Sequence, residues 1–149
     1  MSAHLGFMRE ALELAHVAGR AGEVPVGAVV VRDGEIVGRG SNRCVAKHDP
    51  SAHAELVAIR DACANVGNYR IPGATLYVTI EPCTMCAGAL VHARVEHLVF
   101  GATEVRGGAI ESTAQVLANP HLNHRVEVTS GILADEAEAL MQEFFSARR

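Results

Sequence analysis

Only four cysteines occur in the 149 residues, too few for the disulfide framework of a secreted mini-domain. Two of them form Cys83-Thr-Met-Cys86, a spacing that suits a metal or a redox pair, so a reducing, cytoplasmic setting is expected. Long hydrophobic runs are missing as well. The longest, Val24 to Val31, is interrupted by Pro25 and Gly27 and falls far short of the roughly 20 residues that a membrane span requires. The first residues show neither a cationic leader nor a long apolar stretch, so neither membrane insertion nor export is expected. There is no excess of positive charge: a net charge of −4 gives no general signal for nucleic acid and disfavours a broad phosphate footprint. Internal repeats, low-complexity tracts and linkers are absent too. With 49% hydrophobic residues, the chain can bury a core unaided, and one domain over residues 1–149 is expected.

The distribution of charge says more than its total. Arg39, Arg43, Lys47, Arg60 and Arg70 face only Asp49, Glu55 and Asp61 in the same segment, whereas Glu127 to Arg149 holds two basic and five acidic residues. A polyanionic partner would therefore approach the side carrying His53, although a charge run is also the ordinary makeup of a solvated face.

Leu5, Met8, Leu12, Ala15 and Ala18 recur at helical spacing and predict an amphipathic first helix. Val24 to Val31 and Ile36 to Gly40 read as strands joined by the hairpin signal Asp33-Gly34. Asn42 through Ser51 reads as a polar loop. Asp49-Pro50 then predicts a helix from about Pro50 to Val66, with Leu56, Ile59, Cys63 and Val66 buried and Gly67-Asn68 as its stop. Ala74 to Ile80, Val95 to Phe100 and Val126 to Thr129 are further strands, and a short helix opens at Pro82 or Cys83. Ser112 to Ala118 is read as helical, and Leu133 to Ala147 as the last helix, with Leu140, Met141, Phe144 and Phe145 on its apolar side. Strands alternating with helices indicate an α/β domain.

Two thiolates three residues apart and a distant histidine make three protein ligands, the number that leaves a tetrahedral zinc one position open for water. If Cys83 and Cys86 sit in the first turn of a helix, both sulfurs share a face and the helix dipole favours thiolate. His53 and Glu55, two apart, do not share a helix face, so the helix must aim its end at the metal, with Glu55 beside the water as proton carrier rather than ligand. Each half of the pattern is weak alone. Cys-x-x-Cys is equally half a structural zinc site, a redox pair or two core thiols, and His-x-Glu is commonplace. Together, His53-Ala-Glu55 and Pro82-Cys83-Thr-Met-Cys86 form the signature of zinc deaminases. Cys63 shares an apolar face with Ile59 and Val66 and reads as a core thiol, and Cys44 as incidental, so neither joins the ligand set.

The zinc motifs are part of a longer pattern: Glu23-Val-Pro-Val-Gly-Ala28, Asn42, His48-Asp-Pro-Ser-Ala-His-Ala-Glu55, Asn68-Tyr-Arg70, Ala74 to Cys83, Val99-Phe-Gly101, Asn123-His-Arg-Val126 and Gly131 to Asp135. The chain thereby resembles, over nearly its whole length, the bacterial tRNA-specific adenosine deaminases of the cytidine/deoxycytidylate deaminase superfamily. That resemblance implies a three-layer α/β/α cytidine deaminase-like fold with a mostly five-stranded mixed sheet. It implies one zinc ion per subunit on His53, Cys83 and Cys86, catalysis by Glu55, and a homodimer acting on the anticodon stem-loop of tRNA. It further implies that Asn42 contacts the target base, that Val24 and Pro25 shape its pocket, and that Asn123 and His124 approach the RNA.

Backbone donors near Ala54 or Cys83 are expected to help hold the water or the base. In the loop after Phe100 the family's Asp and Lys-Thr-Gly run is replaced: Glu104 keeps the acid, Arg106 keeps the positive charge, and Gly107 lacks the hydroxyl. Other readings stay open, namely a deaminase of free guanine, cytosine or cytidine with the same zinc and Glu55, and an inactive zinc-stabilised RNA-binding protein. The presence of Glu55 disfavours the last, since a purely structural site has no use for a carboxylate beside an open position.

Overall fold

The hairpin signal is realised first. In the computed structural model, which describes residues 2–148, β1 (Gly27–Arg32) and β2 (Glu35–Ser41) are joined at Asp33-Gly34. Both turn residues have positive φ, 54° and 77°, as a type I′ turn demands. Met1 and Arg149 lie outside the described residues. The remaining strands are β3 (Thr75–Ile80), β4 (His97–Ala102) and β5 (Glu127–Thr129), arranged β2-β1-β3-β4-β5. β1 is antiparallel to both β2 and β3, while β3, β4 and β5 run parallel, so the sheet is mixed.

The strands alternate cleanly between two apolar layers. Val29 and Val31 turn towards Met8 and Ala11 of α1 (Ser2–Arg20), whereas Ala28 and Val30 join Ala54, Ala58 and Leu90 on the other face. α1 and α5 (Ala134–Ser146) pack on each other and on β3 and β4. α3 (Ala54–Val66) lies across β1 and β2, next to α4 (Thr84–His92). This is the expected three-layer cytidine deaminase-like arrangement, a mixed five-stranded sheet between helices. None of the helices among the described residues is long and apolar enough to cross a membrane.

Local expectations are corrected in three segments. The segment read as a polar loop contains a short helix, α2 (Cys44–Lys47). The next helix starts at Ala54, not near Pro50: Asp49 folds its carboxylate onto the N–H and hydroxyl of Ser51 in a turn, and the Ala54 N–H is received by the side chain of Asn42. The buried face of α3 is Ala54, Glu55, Ala58, Ile59 and Ala62, with Leu56, Cys63 and Val66 only partly buried. Small residues face inward because β2 offers glycines there. A Cβ on Gly40 would collide with the Ala54 carbonyl and Ala58 N–H, and one on Gly38 with the Ala58 carbonyl and Ala62 N–H. The two glycines therefore let the α3 backbone settle directly on the strand, which fixes where its N-terminus points.

The third correction concerns Ser112 to Ala118, where only Val116–Ala118 forms a single 3-10 turn. The hydrogen bonds at its start are already committed. Ser112 gives both its N–H and its hydroxyl to Glu81, and Thr113 bonds to Gly108 through both its N–H and its hydroxyl.

Candidate active site

The sheet changes from antiparallel to parallel pairing at β3, and the segment leaving its C-terminal end, Glu81-Pro82-Cys83, enters α4 directly. Cys83 is the residue before that helix, with extended backbone (φ −78°, ψ 177°), and Cys86 lies one turn inside it, fully buried. His53 occupies the same place before α3 (φ −73°, ψ 151°). Two helix N-termini thus converge, and first-turn side chains reach past the helix ends, as the His53-Ala-Glu55 spacing requires. The His53 Nδ1 lies 3.6 Å from the Cys83 Sγ and 3.5 Å from the Cys86 Sγ.

All three donor atoms lie within 4.8 Å of one another, the only such group of His, Cys, Asp and Glu among the described residues. Bonds of about 2.05 Å to nitrogen and 2.3 Å to sulfur at a tetrahedral angle put N and S about 3.6 Å apart, so the donors fit zinc. Three protein donors leave one tetrahedral position for a non-protein ligand.

The local electrostatics favour a cation. The hydrogen bond from Cys86, opposed by burial and helped by His53, pulls the Cys83 thiol down to about 3. The same partnership, followed by burial and the nearby Glu55, pushes Cys86 up. Metal binding at such a pair requires both sulfurs as thiolates and so releases protons. The His53 imidazole is raised chiefly by its bond to Cys83. Behind them Glu55 is 4% exposed, and burial pushes its carboxyl up to about 7, with its backbone N–H and His53 pulling the other way.

A cavity of about 480 Å³ opens in front of this group. Val24, Asn42, Cys44, Val45, Ile80, Glu81, Glu104 and Gly107 line it, together with Met141, Phe144 and Phe145 of α5 and with His53, Glu55 and Cys83. That volume suits a small-molecule-sized group such as a nucleobase.

Of the residues expected at the site, His53, Glu55, Cys83, Cys86, Asn42, Val24 and Glu104 come together here. The Asn42 Oδ1 accepts the Ala54 N–H at 2.7 Å, which fixes the orientation of the amide and leaves its N–H groups and the second lone pair of its oxygen to a ligand. The same bond occupies the Ala54 N–H, which is no free donor for water or base. Pro25 is buried beside an adjoining groove with Arg20, Phe144 and Arg148 rather than in this cavity. Arg106 is exposed on the loop beyond Glu104, its N–H given to the Glu104 Oε1.

Asn123 borders a separate hollow with His92 and Arg94, and the His124 Nε2 lies 2.7 Å from the Val95 carbonyl oxygen, tying its loop to the sheet. Neither enters the cavity.

Sequence reasoning missed the rest of the wall and its supports. Cys44, read as incidental, is a wall residue, and its thiol is raised by burial, then by Glu23 and Asp49. Glu23, 3% exposed, accepts the Val45 and Ala46 N–H groups and so holds α2 beside the cavity. The Glu81 carboxylate, also buried, accepts five hydrogen bonds from the following loop; burial works to raise it, but these bonds win and hold it down at about 2. A polar residue immediately before Pro82-Cys83 was the one available signal for it.

A mixed three-layer sheet with His, Cys and Cys donors at two helix ends, and a buried glutamate beside them, defines a deaminase of the cytidine deaminase-like class. The family model for MafB19-like deaminases matches residues 2–149. A tRNA-specific adenosine deaminase of Haemophilus influenzae is 50% identical over 143 residues, covering 95% of this chain and 83% of its own. A solved structure from work on A-to-I editing by tRNA:A34 deaminases superposes with a TM-score of 0.88 at 45% identity, covering 91% of this chain and 98% of the other. A guanine deaminase from Nitrosomonas europaea gives a TM-score of 0.84 at 27% identity, covering 95% and 84%. The chain belongs to the MafB19-like deaminase family and, within it, to the tRNA-specific adenosine deaminases.

Proposed function

We propose that the chain hydrolyses the wobble adenosine of a tRNA anticodon stem-loop to inosine and ammonia, acting in the cytoplasm as a homodimer with one zinc ion per subunit. The observation that carries this reading is the buried Glu55 carboxyl beside three donors at zinc spacing, in a chain half identical to a tRNA-specific adenosine deaminase. Residues 1–149 form a single deaminase domain in this reading; the dimer rests on the family resemblance and the compartment on the sparse cysteines.

The His53 Nδ1 and the Cys83 and Cys86 thiolates would hold the metal. When bound, zinc supplies a Lewis acid that makes water nucleophilic near neutral pH. Glu55 takes the proton of the attacking water on a carboxylate oxygen and delivers it to N1 of adenine as the C6–O bond forms. It then transfers the second water proton to the amino group, the C6–N bond breaks, and ammonia leaves. A buried carboxyl beside the three donors is placed to serve both directions of transfer.

Asn42, oriented by its bond from the Ala54 N–H, offers its amide N–H groups to an acceptor on the base edge, such as a purine ring nitrogen. Val24 and Val45 give the base apolar walls, and Glu104 flanks it. Pro25 borders the path of the neighbouring nucleotides, and Arg106, Asn123 and His124 meet the RNA outside the cavity. A target in a flexible loop suits this site, because an unpaired base enters at less cost than one drawn from a duplex.

The test is to give purified, zinc-loaded protein a stem-loop with adenosine at the wobble position, alongside free adenosine, guanine and cytidine, and to measure ammonia and deaminated product. Turnover of the stem-loop should exceed each free compound by at least about 100-fold in kcat/KM, because contacts remote from C6 are used to orient the reacting base. Guanine deaminated as efficiently as the stem-loop would replace this reading with that of the Nitrosomonas neighbour.

Asn42 permits a sharper test, since it has two separable jobs. Asn42→Ala should lower stability by about 1 kcal/mol through loss of the Ala54 partner, and should lower kcat/KM by about 10- to 100-fold through loss of the base contact. Asn42→Asp keeps the acceptor for Ala54 but has no N–H. It should restore the melting temperature and leave activity low, with zinc unchanged in both variants. Recovery of activity by Asp would remove Asn42 from the base contact.

A further inference from the structure

Among the residues lining the cavity is a buried carboxylate, that of Glu81, to which the reaction assigns no step. Glu81 is 4% exposed and has no cationic partner: the one ion pair among the described residues joins Arg9 and Glu136 on the surface. Its two oxygens are divided between different parts of the loop that follows β4. The Oε2 accepts the N–H groups of Ile110, Glu111 and Ser112 at 3.0, 2.7 and 2.9 Å, a run of consecutive amides of the kind that cradles an anion. The Oε1 accepts the Glu104 N–H at 3.0 Å and the Ser112 hydroxyl at 2.5 Å.

Neighbouring backbone contacts bind the same two segments together. The Glu81 N–H donates to the Ala102 carbonyl and the Ala109 N–H to the Pro82 carbonyl, each at 2.8 Å. Gly108 lies directly against the carboxylate, where a Cβ would collide with the Glu81 Cδ and Oε1. Glu81 is two residues before Cys83, and the loop it grips supplies Glu104 and Gly107 to the cavity wall. We infer that Glu81 is a positioning residue: its carboxylate fixes the Glu104–Ser112 loop relative to the metal-binding segment and so sets the substrate-facing wall of the cavity. This inference rests on the proposed function for the identity of the substrate, but not for the existence of the clamp.

All five groups around Glu81 donate, so only an acceptor with two free oxygens satisfies them all. A carboxamide cannot. In Glu81→Gln the amide oxygen is best placed at the Oε2 position, where three N–H groups wait. The amide nitrogen then occupies the Oε1 position, where the Ser112 hydroxyl can rotate to accept from it but the Glu104 N–H cannot. The substitution therefore releases Glu104 selectively and keeps the 110–112 end seated, at nearly unchanged volume. Gly108→Ala disturbs the same seat from the loop side, its Cβ pressing on the Glu81 carboxylate and the Glu104 carbonyl, with Glu81 itself unsubstituted.

The experiment compares wild type, Glu81→Gln and Gly108→Ala, each zinc-loaded, on the anticodon stem-loop, with amide hydrogen exchange and zinc content measured in parallel. Both variants should raise KM by about 10-fold with kcat within about 2-fold, the mark of lost binding rather than lost chemistry. Exchange should quicken at 104–108 while α4 stays protected and zinc stays at the wild-type level. Unchanged KM with a demonstrably loosened loop would overturn the inference, as would zinc loss and quickened exchange throughout the chain, which indicate a general structural role. If Glu81→Gln fails to fold, Gly108→Ala carries the same two criteria. Should wild type fail to turn over the stem-loop, the functional reading fails, and the exchange pattern alone still decides whether Glu81 clamps the loop.

Discussion

Glu55→Gln should reduce turnover by at least about 1,000-fold, since one carboxyl serves two proton transfers and general acid–base catalysis contributes about 100- to 10,000-fold. The replacement has nearly the same shape and still fills the space behind His53, Cys83 and Cys86, so packing gives it little reason to unfold the protein. A carboxamide neither accepts a proton from water nor returns one to the leaving amino group at neutral pH. Glu55 is also outside the donor set, which consists of one imidazole nitrogen and two sulfurs. The variant should therefore bind zinc at the wild-type ratio and bind the stem-loop with ordinary affinity while releasing almost no ammonia. Metal analysis, a binding isotherm and a product assay on the same preparation check the three parts together. Ordinary turnover with intact zinc would remove Glu55 from proton transfer.

The features legible in the sequence were those written in neighbouring residues. Asp33-Gly34 carries its turn geometry in two positions, and the zinc ligands stand in motifs of three and four residues. Features set by partners far along the chain were not legible. The start of α3 depends on Asn42, twelve residues before Ala54, and the local Asp49-Pro50 signal points to the wrong place because Asp49 is used within its own turn. The buried face of α3 is chosen by glycines on β2: the larger side chain of Leu56 offers a stronger hydrophobic signal, but Ala54, Ala58 and Ala62 allow closer approach. Glu81 is the extreme case, because its partners lie 23 to 31 residues further on and its place before Pro82-Cys83 is the only local sign of its role. Resemblance supplied Asn42 as a base contact, and the structure adds that its oxygen also receives the Ala54 N–H and so sets the start of α3.

Cys86→Ser should leave the protein largely without zinc and without turnover, and it links the site to stability as well as to chemistry. Cys86 is fully buried one turn inside α4, so its thiolate is reached only through the folded helix end it helps to define. Metal that binds the folded chain and not the unfolded one stabilises the fold by mass action. Wild type should therefore melt several degrees lower after treatment with a chelator, each 1 kcal/mol being about 2–8 °C for chains of this general size. Cys86→Ser should begin near that lowered temperature and show little further response to chelator. Glu55→Gln supplies the contrast, as inactive as Cys86→Ser but retaining the full chelator-dependent drop. Melting curves with and without chelator, read beside zinc content, thus separate loss of the proton carrier from loss of a metal ligand even though an activity assay cannot. Tightly held zinc at the wild-type ratio in Cys86→Ser would reject Cys86 as a ligand.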